Sequence, residues 1–310
     1  MVGTTPLTVA DLQGTARRMR RDKTMRVVFG ATASVSIIVS LLIIVSLTRE
    51  AASFITKVEL GSLWDIGWFP RRGSFDLLTL FAGSLLVTGV AMVVAAPLGL
   101  GAAFYLSEYA SPRLRRTLKP IIEVLAGIPS VVIGFFAISF ITPDLLSRFL
   151  DDVSFFNLAA AGIGVGILTL PLIASVSEDA MRAVPASLRE AAYGLGSRKA
   201  TTCVRVVFPA AVSGIVAAFI IGISRAIGET MVVAIAAGAT GGSLRNFTQI
   251  FDPGQTLTAA MAALGAGTDQ VKGDDAAFQS LYFLGLLLFG VTLLLNVISA
   301  RFVRRIRERY

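Results

Sequence analysis

Apolar residues in this chain gather into runs too long and too uniform to be one face of a soluble helix. Six of them, near 26–47, 77–105, 120–142, 157–177, 209–237 and 279–300, reach the roughly 20 residues that a helix needs to cross a hydrocarbon core about 30 Å thick. The pattern predicts an all-α membrane protein with six transmembrane helices spread over 26–300, between an N-terminal tail, 1–25, and a basic C-terminal tail, 301–310. Outside segments are expected near 48–76, 143–156 and 238–278, the last long, rich in Gly and polar residues and suited to meeting a soluble partner. The first run follows Arg17, Arg18, Arg20, Arg21, Lys23 and Arg26, as a signal peptide's would. It is too long for a signal h-region and no small-x-small cleavage site follows, so it reads as an uncleaved span.

The basic residues orient these spans. Six lie in the N-terminal tail and, as Arg26, at its junction with the first run; four lie in 113–119, five in 182–205 and five in 301–309. The opposite side holds seven: Arg49, Lys57, Arg71, Arg72, Arg148, Arg245 and Lys272. Lys and Arg collect on the cytoplasmic side of membrane proteins, which puts both termini in the cytoplasm of a multi-pass membrane protein. Composition agrees: 55% of the 310 residues are hydrophobic and 15% charged, with a mean hydropathy of +0.75. The net charge of +8 therefore reports membrane orientation, and no nucleic-acid partner is expected. One cysteine, Cys203, no histidine and no GxxxxGK[ST] loop are poor material for an enzyme, a metal site or an on-chain ATPase; no cofactor is expected. Pro97, Pro129, Pro171 and the glycines of 162–166 interrupt the spans. They fit either close helix packing or the lining of a pathway.

Between the fourth and fifth runs lies a cytoplasmic loop, 178–208. Within it, Pro185-Ala186-Ser187-Leu188-Arg189-Glu190-Ala191-Ala192-Tyr193-Gly194-Leu195-Gly196 predicts a short helix. Ser187 and Glu190 form a capping-box pattern, and Gly194 or Gly196 can supply a left-handed stop. Leu188, Ala191, Ala192 and Leu195 share one face, too small to hold two turns of helix alone in water, so docking into a partner's groove is expected.

Glu190-Ala191-Ala192, three residues, Gly196, nine residues and Val206-Val207-Phe208-Pro209 resemble the EAA signature of ABC-importer permeases. Val206 and Phe208 depart conservatively from its Ile and Leu. In that family the segment is the coupling helix seated in a cleft of the cytoplasmic ATPase. The resemblance implies the six-helix, type I (MetI-like) permease architecture, with Leu188, Glu190, Ala191, Ala192, Leu195 and Gly196 as ATPase-coupling residues. It extends to the phosphate-specific permeases over Tyr105–Ala110, Ala126–Phe136, Arg225–Met231 and Phe251–Ala260, and is similar to their PstC type more than to PstA. What it implies is half of a pathway for inorganic phosphate, partnered by a PstA-type permease, two copies of a PstB-type ATPase that hydrolyses ATP, and a PstS-type phosphate-binding protein. A permease for molybdate, sulfate or phosphonate, and a membrane signalling partner in phosphate sensing, stand as alternatives.

Arg225 and Glu229 fall within the fifth run. A four-residue spacing stacks them on one helix face, where they can pair, and ionised groups at that depth belong to a bundle interior or hydrated path. A guanidinium presents a fork matched to two phosphate oxygens, and a neighbouring carboxylate weakens its hold enough for release. Arg225 and Glu229 are therefore candidate pathway residues, with Ser84, Thr88, Ser130, Ser224 and Thr230 as candidate polar lining; an ion pair serving packing alone is the alternative.

Overall fold

The computed structural model describes residues 16–64, 67–242, 249–267 and 275–307. Most of the predicted N-terminal tail, Arg245 and Lys272 on the opposite side and Arg309 of the basic tail lie outside the described residues. The chain divides into two compact units, one to Arg49 and one from Glu50.

The described part of the first unit is a single helix, α1 (Ala16–Lys57), whose last turns belong to the second. Its hydroxyls spend their donors inside the helix: Thr32 on the Val28 carbonyl, Ser34 on Gly30, Ser40 on Ser36 and Thr48 on Ile44. Internal satisfaction of this kind lets polar side chains sit in hydrocarbon, where no water can answer them.

The second unit opens with a small antiparallel ribbon, β1 (Trp68–Phe69) against β2 (Ser74–Phe75). Asp76 is buried at its exit. Its carboxylate accepts hydrogen bonds from the Thr79 amide (3.2 Å), the Thr79 hydroxyl (2.6 Å) and the Gly67 amide (2.9 Å). That N-cap starts α2 (Leu77–Phe104), which a π-helical turn, Tyr105–Tyr109, prolongs. Next come α3 (Pro112–Leu125) and α4 (Ser130–Phe136), the latter extended by a π-helical stretch to Leu146. Then α5 (Leu158–Arg182) is capped by Asn157, and α6 (Ala186–Gly194) and α7 (Lys199–Thr202) follow. A π turn leads into α8 (Phe208–Ile227), followed by α9 (Met231–Ala236), α10 (Leu257–Gly265) and α11 (Asp275–Arg307). Among the described residues, five helices are long and apolar enough to cross a membrane, or six if the bent pair α3–α4 counts as one span. This is a multi-pass, all-α membrane fold.

Two expected spans are not continuous helices. The run read as one span over 120–142 turns by 82° between Leu125 and Ser130. Pro129 lacks an amide hydrogen and pushes Ile128 out of the helical region, so residues 120–125 belong to α3 with the basic loop before them. The run over 209–237 begins earlier, as helix from Lys199, and stops at Ile227. Gly228 caps that end and helix resumes only at Met231. The sixth run continues as helix through Arg307, so the basic tail is helical up to that residue.

Three apolar clusters hold the second unit together. The largest joins α2, α4, α5, α8, α9 and α10 through Val87, Ala91, Ile133, Val165, Leu168, Val232 and Val233. One of the others packs Phe54, Trp68, Phe75, Leu80, Leu257 and Leu284; the third packs Met181, Val207, Ala211 and Ile215. The pairing of α2 with α5 rests on small residues. A side chain at Gly162 would lie 2.6 Å from Val90 Cβ, and one at Gly166 would lie 2.9 Å from the Ala91 carbonyl oxygen. Backbone cannot give way as a flexible side chain can, so this close approach needs glycine.

Gly166→Leu is expected to separate the two helices and cost about 1–3 kcal/mol or more. Its folded yield in membranes and its unfolding temperature in detergent should fall, while Gly89→Ala, with nothing within 4 Å of the added methyl, should match the parent. Equal stability of the two variants would disprove the close-packing account.

Candidate functional site

A cavity of about 820 Å³ opens within the second unit, walled by four helices. Helix α8 contributes Ile221, Ser224 and Arg225, and the break after it contributes Gly228 and Glu229; α5 adds Leu168, Pro171, Leu172 and Ser175. Glu123 and Ala126, at the bend that ends α3, and Asn296 of α11 complete it. Both helix breaks thus border the same space. Interrupted backbone is tolerated at membrane depth where it lines a cavity, because the freed amides and carbonyls can find partners there. Here the Glu229 carbonyl accepts from the Thr258 hydroxyl (2.7 Å), and the Gly228 carbonyl accepts from the Thr230 hydroxyl (3.3 Å).

The break changes the expected relation of Arg225 and Glu229. Because α8 ends before Glu229, the two do not stack on one helix face, and among the described residues no ion pair joins them. Arg225 is exposed to the cavity and Glu229 half-buried. Beside them the Ser224 hydroxyl oxygen is buried with no hydrogen-bond partner among the described residues. A guanidinium open to the cavity, with no partner among the described residues, can take an oxyanion. Two carboxylates in the same space, Glu123 and Glu229, limit how tightly a dianion is held.

Of the predicted lining residues, the cavity gathers Arg225, Glu229 and Ser224. It does not gather the other four. Ser84 is buried in the α2–α10 contact, where its hydroxyl donates to the Leu80 carbonyl (2.8 Å) and accepts from the Leu257 amide (3.1 Å). The Thr88 hydroxyl is spent on the Ser84 carbonyl (2.7 Å), Ser130 opens α4, and Thr230 sits in the break, bonded to Gly228. Sequence reasoning missed Glu123, Ser175 and Asn296. A carboxylate and an amide inside apparent spans were the available signal, hidden by averaging over apolar neighbours.

An ionic knot holds α3 in place. Glu178 of α5 is fully buried against Arg115 Nε (2.6 Å) and Lys119 Nζ (2.7 Å), and Lys119 also reaches Asp179 (2.7 Å). The Arg115 contact is short but off the hydrogen-bond axis, so it acts as an ion pair. Since it fixes α3 to α5, it fixes where Glu123 enters the cavity.

The predicted loop helix is α6. It starts at Ala186 after Pro185, without a side-chain cap bond. The Ser187–Glu190 capping box therefore does not form: with Pro185 already at the N-cap, Ser187 lies inside the helix. The stop is Gly196, not Gly194, with φ +74°. Its amide bonds to the Tyr193 carbonyl (2.9 Å) and the Ser197 amide to the Ala192 carbonyl (3.0 Å), the paired bonds of a Schellman motif. Leu188, Glu190, Ala191, Leu195 and Gly196 are exposed, Leu195 at 90%, while Ala192 is half-buried. Leu188, Tyr193 and Leu195 are thus large apolar or aromatic side chains left open on one short segment.

Residues 95–308 match the family described as binding-protein-dependent transport system inner membrane component. The chain is 30% identical to the phosphate transport system permease protein PstC of Mesorhizobium japonicum, covering 95% of this chain and 96% of that protein. It is 31% identical to the protein of the same name from Xylella fastidiosa, over 78% of each. In fold, a chain of a bacterial alginate ABC transporter bound to its periplasmic protein aligns at a TM-score of 0.63 and 15% identity, covering 94% of this chain and 98% of that one. A chain of the MetNI methionine ABC transporter aligns at 0.53 and 19% identity, covering 74% and 94%.

The cavity geometry predicts unequal thiol reactivity. Cys203 is buried, so Gly228→Cys, at an exposed position of the cavity wall, should label with a charged, water-soluble thiol reagent about tenfold faster or more than Ser84→Cys. Comparable rates in intact membranes would show that the cavity is closed to water.

Proposed function

Because the chain belongs to the family of binding-protein-dependent transport system inner membrane components, we propose that it is the membrane-spanning permease subunit of an ATP-driven phosphate importer and forms half of the pathway for inorganic phosphate. The observation that carries this reading is the Arg225 guanidinium, exposed to a cavity flanked by two helix breaks and without a partner among the described residues. Relatives named for phosphate transport, one of them matched over 95% of this chain, favour phosphate over molybdate, sulfate or phosphonate. The exposed, Schellman-terminated α6 favours transport coupling over a purely signalling role.

The implied assembly pairs this subunit with a PstA-type permease on two PstB-type ATPases, with a PstS-type protein delivering phosphate from outside. Both termini and α6 face the cytoplasm, as the distribution of basic residues suggests. ATP binding and hydrolysis occur on the partner ATPases. Closure of that motor drags α6 and its counterpart, and the attached helices tip the cavity from one side to the other. In passing, phosphate meets Arg225 as a bidentate anion. Glu229 and Glu123 repel the dianion, so the contact stays weak enough to break.

Arg225→Ala is expected to lower phosphate uptake per assembled complex by about tenfold or more, with assembly and capture by the soluble binding protein unchanged. Glu229→Gln should slow release. Near-normal uptake by Arg225→Ala, normalised to complex, would sink the pathway assignment. Coupling is tested separately. Glu190→Lys, or Gly196→Asp at a left-handed position, should leave the subunit inserted while reducing the ATPase recovered with it; full recovery and normal uptake in both would contradict the docking role of α6.

A further inference from the structure

Helix α6 has no buried residue and no side-chain cap, yet it must hold a fixed place to receive a partner. Two turns of helix cannot hold themselves. Among the described residues, the only side chain of α6 that hydrogen-bonds to the rest of the chain is Arg189. Its Nη2 donates to Glu108 Oε1 (2.8 Å) and to the Met181 carbonyl (2.8 Å), its Nη1 to the Val184 carbonyl (2.7 Å), and its Nε reaches Glu108 Oε2 at 3.4 Å. One guanidinium thereby ties α6 to the end of α2 and to the end of α5.

The pair is built for load. The Glu108 side chain is 5% exposed and the Arg189 side chain 18%, so water and salt screen the pair less than they would a surface ion pair. Glu108 is also steadied by the Ser107 hydroxyl (3.0 Å). It stands on the π turn that prolongs α2, where an extra residue in the turn re-aims the side chain relative to a plain α-helix. The two helices it joins are those packed through Gly162 and Gly166, and α5 walls the cavity with Leu168, Pro171, Leu172 and Ser175.

We infer that Arg189 is the positioning residue through which displacement of α6 reaches the cavity wall, acting through Glu108 on the π turn that prolongs α2 and through the carbonyls of Met181, in the last turn of α5, and Val184, just past it. The inference rests on the proposed docking of an ATPase on α6 and adds the route by which that motion enters the membrane. A guanidinium suits the task because its planar fork holds a carboxylate and two carbonyls at once, which fixes direction as well as distance. Lysine offers the charge without the fork.

The test measures phosphate imported per ATP hydrolysed by the complete transporter in proteoliposomes, with ATPase recovery recorded for each variant. Arg189→Ala is expected to keep the ATPase bound and hydrolysing while phosphate moved per ATP falls about tenfold. Glu108→Gln, which keeps the shape, should fall in the same direction. The double variant should be no worse than Arg189→Ala, as for two residues acting through one contact, and Arg189→Lys should recover part of the loss. If Arg189→Ala does not assemble, the isosteric Glu108→Gln decides by the same ratio. A ratio equal to the parent's in assembled variants, or uptake and hydrolysis falling together with the amount of complex, would overturn the inference and leave the pair a fold anchor. Failure of the docking assignment would read differently, as normal ATPase recovery and normal uptake in Glu190→Lys.

Discussion

Satisfaction of the backbone inside an apolar solvent is the constraint from which this structure follows. Each amide and carbonyl at membrane depth must find its partner within the chain, since an unpaired group in hydrocarbon costs several kcal/mol. Among the described residues, the apolar helices answer that demand, interrupted at the Gly127–Pro129 bend and the Gly228–Thr230 break. Both discontinuities meet at one cavity, and at the second the loosened carbonyls are recaptured by Thr230 and Thr258. Concentrating the irregular backbone in one place leaves the rest of the unit free to pack as uninterrupted helices.

The same economy governs charge. Glu178 and Glu108 are buried, and each is matched with cations brought from another element. Removing one partner from such a pair strands the other charge in a low-dielectric setting, typically at about 3–5 kcal/mol. Arg225 is handled differently: among the described residues no partner takes its donors, and it faces open space, whereas Arg115, Lys119 and Arg189 are paired.

The cavity wall and the attachment of α6 lie at different levels of α5. Its middle, around Pro171, forms cavity wall, and its last turn accepts the Arg189 hydrogen bond that steadies α6. Close packing on α2 at Gly162 and Gly166 leaves no room for an added methyl between the two helices, and an interior at crystal-like density transmits displacement and absorbs little of it.

The location and type of the apolar helices, the bias of basic residues to one side and the spacing of the EAA segment were legible in the sequence, since each depends on neighbours within a few turns. Hydropathy could not register the 82° bend at Pro129, because an apolar run keeps its average whether or not it turns. The four-residue spacing of Arg225 and Glu229 implied pairing only if the helix continued, and Gly228 ended it. Likewise a Ser–x–x–Glu pattern gave way to Pro185. Glu123, Asn296, the Glu178 knot and the Glu108–Arg189 tie were decided by tertiary structure alone. Those contacts join residues dozens of positions apart or more, and no local periodicity encodes which helix end will arrive beside another; only the packing of α2, α3, α5 and α6 brings the opposite charges within reach.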